Sequence, residues 1–100
     1  MSKRIVYPAS RVLDVLTTPL AIAILVELYR SKEKESVSNH SLTLEELSKR
    51  FKLPKKYIKK KIDWLREKDF IEIVGERGED NPVYEISRDG EELLKVCGIV

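Results

Sequence analysis

The sequence predicts a mainly α protein with one small β-hairpin, an α+β domain of a single unit. Three observations lead there. Apolar residues recur at helical spacing through most of the 100 residues,. Helix start signals precede four of these stretches. Two short runs of β-forming residues, 70–74 and 83–87, flank a stretch of turn formers,. A chain of this length makes one domain with a modest core, so a partner chain would help its stability.

The elements follow in order. Residues 1–7 read as a short tail. Pro8 can open a helix, and Val12, Leu13, Val15 and Leu16 give a brief apolar face, so a short helix is predicted over 9–16,. Thr18 and Pro19 form a second start, as N-cap and first helical residue, for a helix over 19–31,. From Ala21 to Tyr29 that helix is apolar around most of its circumference, which places it at the centre of the domain,. Residues 31–41 are polar and alternate in charge, and read as a mobile loop. His40 lies there alone, an exposed loop histidine with no second His or Cys nearby to make a metal site,.

Thr43-Leu44-Glu45-Glu46 is a capping box, with Leu42 and Leu47 at the places of a hydrophobic staple,. A helix is therefore expected over 44–51, its inward stripe Leu44, Leu47 and Phe51. Glu45 and Glu46 suit its start, and Lys49 and Arg50 its end,. Lys52-Leu53-Pro54 is a tight connection, and Pro54 opens the next helix, over 55–68,. Two helices joined by three residues make a helix-turn-helix candidate. In the second helix Ile62 and Leu65 stay within about 40° of Ile58 at 100° per residue, while Lys56, Lys59 and Lys60 lie about 100–200° away from it. One face can sit in a core while the other offers ammonium groups. Lys61 falls beside the core stripe, as a structural or snorkelling residue. Trp64 and Tyr57 share a lateral stripe. Trp64 packs against the hairpin or a neighbouring helix, or else meets a partner or nucleic acid. A last helix is expected over 89–96, with Leu93, Leu94 and Val96 inward.

Charge is segregated. Residues 49–68 carry ten basic side chains against two acidic, +8, and residues 69–92 carry two basic against nine acidic, −7, although the whole chain is only +2,. Lys and Glu are abundant and Gln is absent, a composition seen in proteins of thermophiles,. Cys97 is the single cysteine, so no intramolecular disulfide is possible; it reads as a buried or interfacial residue, or as an intersubunit disulfide,. No signal peptide is evident and Leu20–Val26 is too short an apolar run to cross a bilayer, so the expected setting is cytoplasmic,. With one His, one Cys, no phosphate loop and no apolar carboxylate pair, no catalytic residue, metal or cofactor is expected,.

Two linked patterns carry a resemblance. Thr43-Leu44-Glu45-Glu46-Leu47 is followed by Ile58-x-x-x-Ile62-x-x-Leu65-x-x-x-x-Phe70-Ile71, and Tyr84-x-Ile86-Ser87-x-x-Gly90-x-x-Leu93-Leu94 follows the hairpin. Together with Pro19-Leu20-x-Ile22-x-Ile24-Leu25, over about residues 16–96, the chain resembles the winged helix-turn-helix domains of ArsR-, MarR- and PadR-type transcriptional regulators. It differs in having Asp69 where glycine usually ends the recognition helix, and in lacking the cysteine pair of metal-sensing members. The resemblance implies double-stranded DNA as partner, with the helix over 55–68 in the major groove. The candidate DNA surface is Lys55, Lys56, Tyr57, Lys59 and Lys60, flanked by Lys49, Arg50 and Lys52. Arg77 stands alone at the hairpin tip among Glu76, Glu79 and Asp80, and completes the candidate set. The apolar surplus of the first and last helices points to a homodimer through them. Two other uses fit the same charge pattern: a protein-interaction module docking on basic partners in a transcription or replication assembly, and end-to-end assembly of copies along DNA.

Overall fold

The computed structural model describes residues 14–33, 42–76, 78 and 81–100. Four helices and a three-stranded antiparallel sheet make up these residues: α1 (Pro19–Glu33), β1 (Leu42–Thr43), α2 (Leu44–Phe51), α3 (Lys55–Glu67), β2 (Ile71–Glu76), β3 (Pro82–Ile86) and α4 (Arg88–Val96). The class is α+β, as expected. No helix among the described residues is long and apolar enough to cross a membrane.

The helix expected over 9–16 lies mostly outside the described residues. Residues 14–16 are helical, with Val15 buried and Leu16 exposed. Thr18 does not cap α1 with its side chain. Its hydroxyl donates back to the Asp14 carbonyl at 2.7 Å, and its own carbonyl accepts from the Ile22 N–H. In α1, Ala21, Ile24, Leu25 and Leu28 are fully buried, and Leu20, Ile22, Val26 and Tyr29 pack at the margin of the same cluster. The central position expected from its all-round apolarity follows from that burial.

The capping box forms. The Glu46 N–H donates to the Thr43 hydroxyl at 3.2 Å, and the Thr43 N–H donates to the Glu46 carboxylate at 2.9 Å,. Thr43 is at the same time the last residue of β1, which pairs with β3 through Leu42 opposite Tyr84 and Thr43 opposite Val83. That strand is absent from the sequence-based expectation, because two residues have no periodicity to read. It places β3 in the centre of the sheet, in the order β1-β3-β2, and pins the start of α2 to the sheet.

Three helix ends use left-handed residues. Lys52 (φ 56°) ends α2, where the Leu53 N–H reaches the Ser48 carbonyl at 3.2 Å and the Ser48 hydroxyl donates to the Leu53 carbonyl at 2.6 Å. Asp69 (φ 67°) ends α3 in the conformation that a glycine would otherwise supply,. The Phe70 N–H bonds the Leu65 carbonyl at 3.0 Å and the Asp69 N–H bonds that of Arg66 at 2.9 Å, with Phe70 and Leu65 both buried, which is a Schellman motif,. Gly98 (φ 73°) ends α4 by the same pattern on Leu94 and Lys95.

Pro54 occupies the N-cap of α3 rather than its first helical position. Its carbonyl accepts from Tyr57 and Ile58, and no side chain caps this helix. α4 starts one residue early, at Arg88, because the Ser87 hydroxyl accepts from the Gly90 N–H at 3.1 Å while donating to the Asp69 carbonyl at 2.7 Å. Of the three residues expected inward on α4, Leu93 and Leu94 are buried, but Val96 is 77% exposed. The packed end of the helix stops at Leu94.

Candidate nucleic-acid interface

The stripe of Ile58, Ile62 and Leu65 is fully buried, in one cluster with Leu25, Leu47 and Phe70. This burial fixes the rotation of α3 and so decides which side chains face water. Each residue of apolar area removed from solvent holds that rotation, at about 25 cal/mol per Å². Lys55, Lys56, Tyr57, Lys59 and Lys60 are accordingly exposed, as are Lys49, Arg50 and Lys52 around the preceding turn. The turn brings these groups together. The left-handed Lys52 folds the chain back within three residues, so the end of α2 and the start of α3 present their cations at one end of the helix pair.

The cations are not equivalent. Lys49, Lys52, Lys55, Lys56 and Lys60 have no ion pair among the described residues, whereas Arg50 pairs with Glu27 of α1. Lys59 donates to the Asp63 carboxylate at 2.9 Å, one turn along α3. That hydrogen bond, and then the Asp63 charge, raise the Lys59 ammonium above the ordinary lysine range. Arg66 lies 3.8 Å from the other Asp63 oxygen. Arg77 lies outside the described residues.

Asp63 and Arg66 were not among the sequence-derived candidates. The signal was available in the spacing, since i, i+3 and i, i+4 neighbours meet on a helix surface. In the sequence Asp63 reads as one acid within a basic run, which masks that pairing. An open cleft of about 460 Å³ is lined by Lys59, Asp63, Arg66 and Glu67. Tyr84 of β3 lies within electrostatic reach of Lys59, Asp63 and Arg66, and its burial, first of all, pushes its phenol up.

Trp64 is half-buried against the core, with the Lys68 and Lys61 ammoniums 4.7 and 5.5 Å from its ring centroid,. Of the alternatives open to it, packing within the chain is the one these contacts favour. Lys61 is half-buried, as its position beside the core stripe implied. Cys97 is exposed in the single chain, which removes the buried alternative.

Part of the acidic half is neutralised internally. Lys32 of α1 donates to Glu91 at 2.7 Å and lies 3.7 Å from Glu85, and its ammonium also reaches the Ile86 carbonyl at 3.5 Å. Glu72 and Glu76 of β2 and Glu92 of α4 remain exposed. No group of three potential ligands that could hold a metal ion occurs among the described residues. Comparison of the chain with protein-family models, curated proteins and solved structures finds no match in any of the three.

Proposed function

We propose that the chain is a winged helix-turn-helix DNA-binding regulator that lays α3 in the major groove of double-stranded DNA. The observation that carries this reading is the cluster of exposed lysines, without ion-pair partners among the described residues, around the turn and the first half of α3, on a helix whose other face is buried. Unpaired ammonium groups at the entering end of such a helix suit phosphate neutralisation. Five such lysines (Lys49, Lys52, Lys55, Lys56 and Lys60), one phosphate each, give a slope of about −4.5 in log K against log salt per protomer. Affinity for duplex DNA is then expected to fall roughly 500-fold between 50 and 200 mM salt. Fluorescence anisotropy tests this, and weak binding at low salt with a flat salt response contradicts it.

A homodimer completes the proposal. Leu16, Val96, Ile99 and Val100 are exposed apolar residues of the first and last helical segments and of the tail that follows. Pairing two copies through them would cover that surface and present two α3 helices to successive grooves.

A second reading, a protein-interaction module, is favoured by the exposed Glu72, Glu76 and Glu92, which repel DNA and attract basic partners,. Charge reversal separates the two. Lys56→Glu with Lys60→Glu abolishes DNA binding under the first reading and leaves function intact under the second.

A further inference from the structure

The outward face of α3 is not uniformly basic. With Ile58 as zero, Lys56, Lys59, Asp63 and Arg66 lie at about 160°, 100°, 140° and 80° around the helix, so the acid stands in the middle of the cationic stripe. Local helix physics does not ask for it there. Aspartate is a weak helix former in a helix interior. It gains from the helix dipole only in the first turn, and Asp63 is two turns beyond it,. The order lysine-then-acid at i, i+4 is also the weaker orientation of such a pair, and the contact in the favoured order, Asp63 with Arg66, is long at 3.8 Å,. On a face serving phosphate attraction alone, the carboxylate subtracts from the effect of its neighbours.

The cleft around Asp63 points to a different ligand. Lys59 and Arg66 contribute two positive charges, Asp63 and Glu67 two negative. A phosphate gains nothing by entering a site of zero net charge. A group that offers a donor beside acceptors finds a partner for each. The major-groove edge of a C·G pair is such a group: cytosine N4 donates, and guanine O6 and N7 accept. A carboxylate takes the cytosine amino group, and a guanidinium or ammonium takes guanine. The spacing suits this. The Lys59 and Arg66 head groups converge on the Asp63 carboxylate, at 2.9 and 3.8 Å, each about one base step of 3.4 Å, so the three groups reach the same or adjacent pairs,. The Asp63 side chain is 44% exposed, and its contacts with Lys59 and Arg66 orient it without covering it.

We propose that Asp63 is a specificity-determining residue of α3, accepting from a cytosine amino group in the major groove with Lys59 and Arg66 held beside it for guanine. This rests on the DNA-binding reading above, and it assigns base readout to a cluster separate from the phosphate-seeking lysines.

The test is selection from a random duplex pool with the full chain and with Asp63→Asn and Asp63→Ala, followed by anisotropy on the selected site at fixed salt. The full chain is expected to select a C·G pair at one position. Asp63→Ala loses that preference by roughly ten-fold, and Asp63→Asn exchanges it for adenine. Affinity for random duplex stays the same or rises in both variants, because a charge that repels phosphates is gone. Variants that select the same sites with the same discrimination overturn the inference, leaving Asp63 as an ion-pair partner only. A chain that binds DNA with the expected salt slope but no base preference also overturns it, while the DNA-binding reading stands. A chain that binds no duplex at low salt overturns both.

Discussion

Replacing Gly90 by alanine is expected to destabilise the protein although it removes a glycine from a helix. Gly90 is the third residue of α4, and helix propensity alone favours alanine there by about 1 kcal/mol,. The surroundings oppose it. A Cβ at this position would lie 2.5 Å from the Phe70 carbonyl oxygen and 2.7 Å from Ile86 Cγ1. Neither neighbour can retreat freely. The Phe70 oxygen accepts from the Ser87 N–H at 3.0 Å, the Phe70 N–H is held by Leu65, and Ile86 is fully buried. Relief requires α4 to move off the start of β2, at an overpacking cost of about 1–3 kcal/mol. That movement also stretches the Ser87–Phe70 and Ser87–Asp69 hydrogen bonds, each worth about 1 kcal/mol,. Set against the propensity gain, the net loss is about 1–3 kcal/mol. With a urea m-value of about 1 kcal/mol/M for a chain this small, the midpoint falls by about 1–3 M. Equilibrium urea unfolding followed by far-ultraviolet circular dichroism reads this directly. An unchanged or raised midpoint with an unchanged slope would refute the close-packing account of Gly90.

Other outcomes follow from the same contacts. Burial disfavours the Lys32 ammonium, but the hydrogen bond and charge of Glu91, then the charges of Glu85 and Glu72, outweigh it and hold its pKa above the ordinary value. Stability from a lysine raised in this way is fully present below the unfolded value of about 10.4 and is lost as pH rises through the folded one. Urea midpoints are therefore expected to hold from neutral pH to about 10 and to fall above it, with a smaller fall in Glu91→Gln; an equal fall in that variant removes the pair as the cause. The Tyr84 residue is only 2% exposed and its hydroxyl has no partner among the described residues, so Tyr84→Phe is expected to leave stability unchanged or raise it by up to about 1 kcal/mol, measured by thermal unfolding,. Cys97 is exposed, so a maleimide is expected to label it in dilute native protein. Protection that grows with protein concentration would place it in the proposed dimer contact, and labelling independent of concentration argues for a surface away from it.

Much of the candidate site was legible before any coordinates. Thr43 and Glu46 are three residues apart and cap α2 through local geometry alone. The stripe of Ile58, Ile62 and Leu65 follows from helical periodicity, and it turned Lys56, Lys59 and Lys60 outward, where all three are exposed. The left-handed Asp69 agrees with what the resemblance implied, since it stands where a glycine usually ends that helix and aspartate tolerates the conformation,. These features share one property: the interacting groups lie within a turn or two of each other, so spacing determines whether they meet.

What tertiary structure alone decided lies at longer range. Arg50 looked like a free cation at a helix end, but its partner Glu27 is 23 residues away on α1. Lys32 joins Glu85 and Glu91 across more than fifty residues, removing acids that seemed to repel DNA. The pairing of Leu42 with Tyr84 makes a third strand from two residues that show no pattern of their own. Gly90 appears in the sequence as one glycine near a helix start, and only the approach of Phe70 and Ile86 shows why a methyl group does not fit. Sequence by itself determined which faces are apolar and which are charged, because that is a property of residue order. The fold determined which charges remain available to a partner, because ion pairs and close contacts depend on distances that the order of residues does not contain.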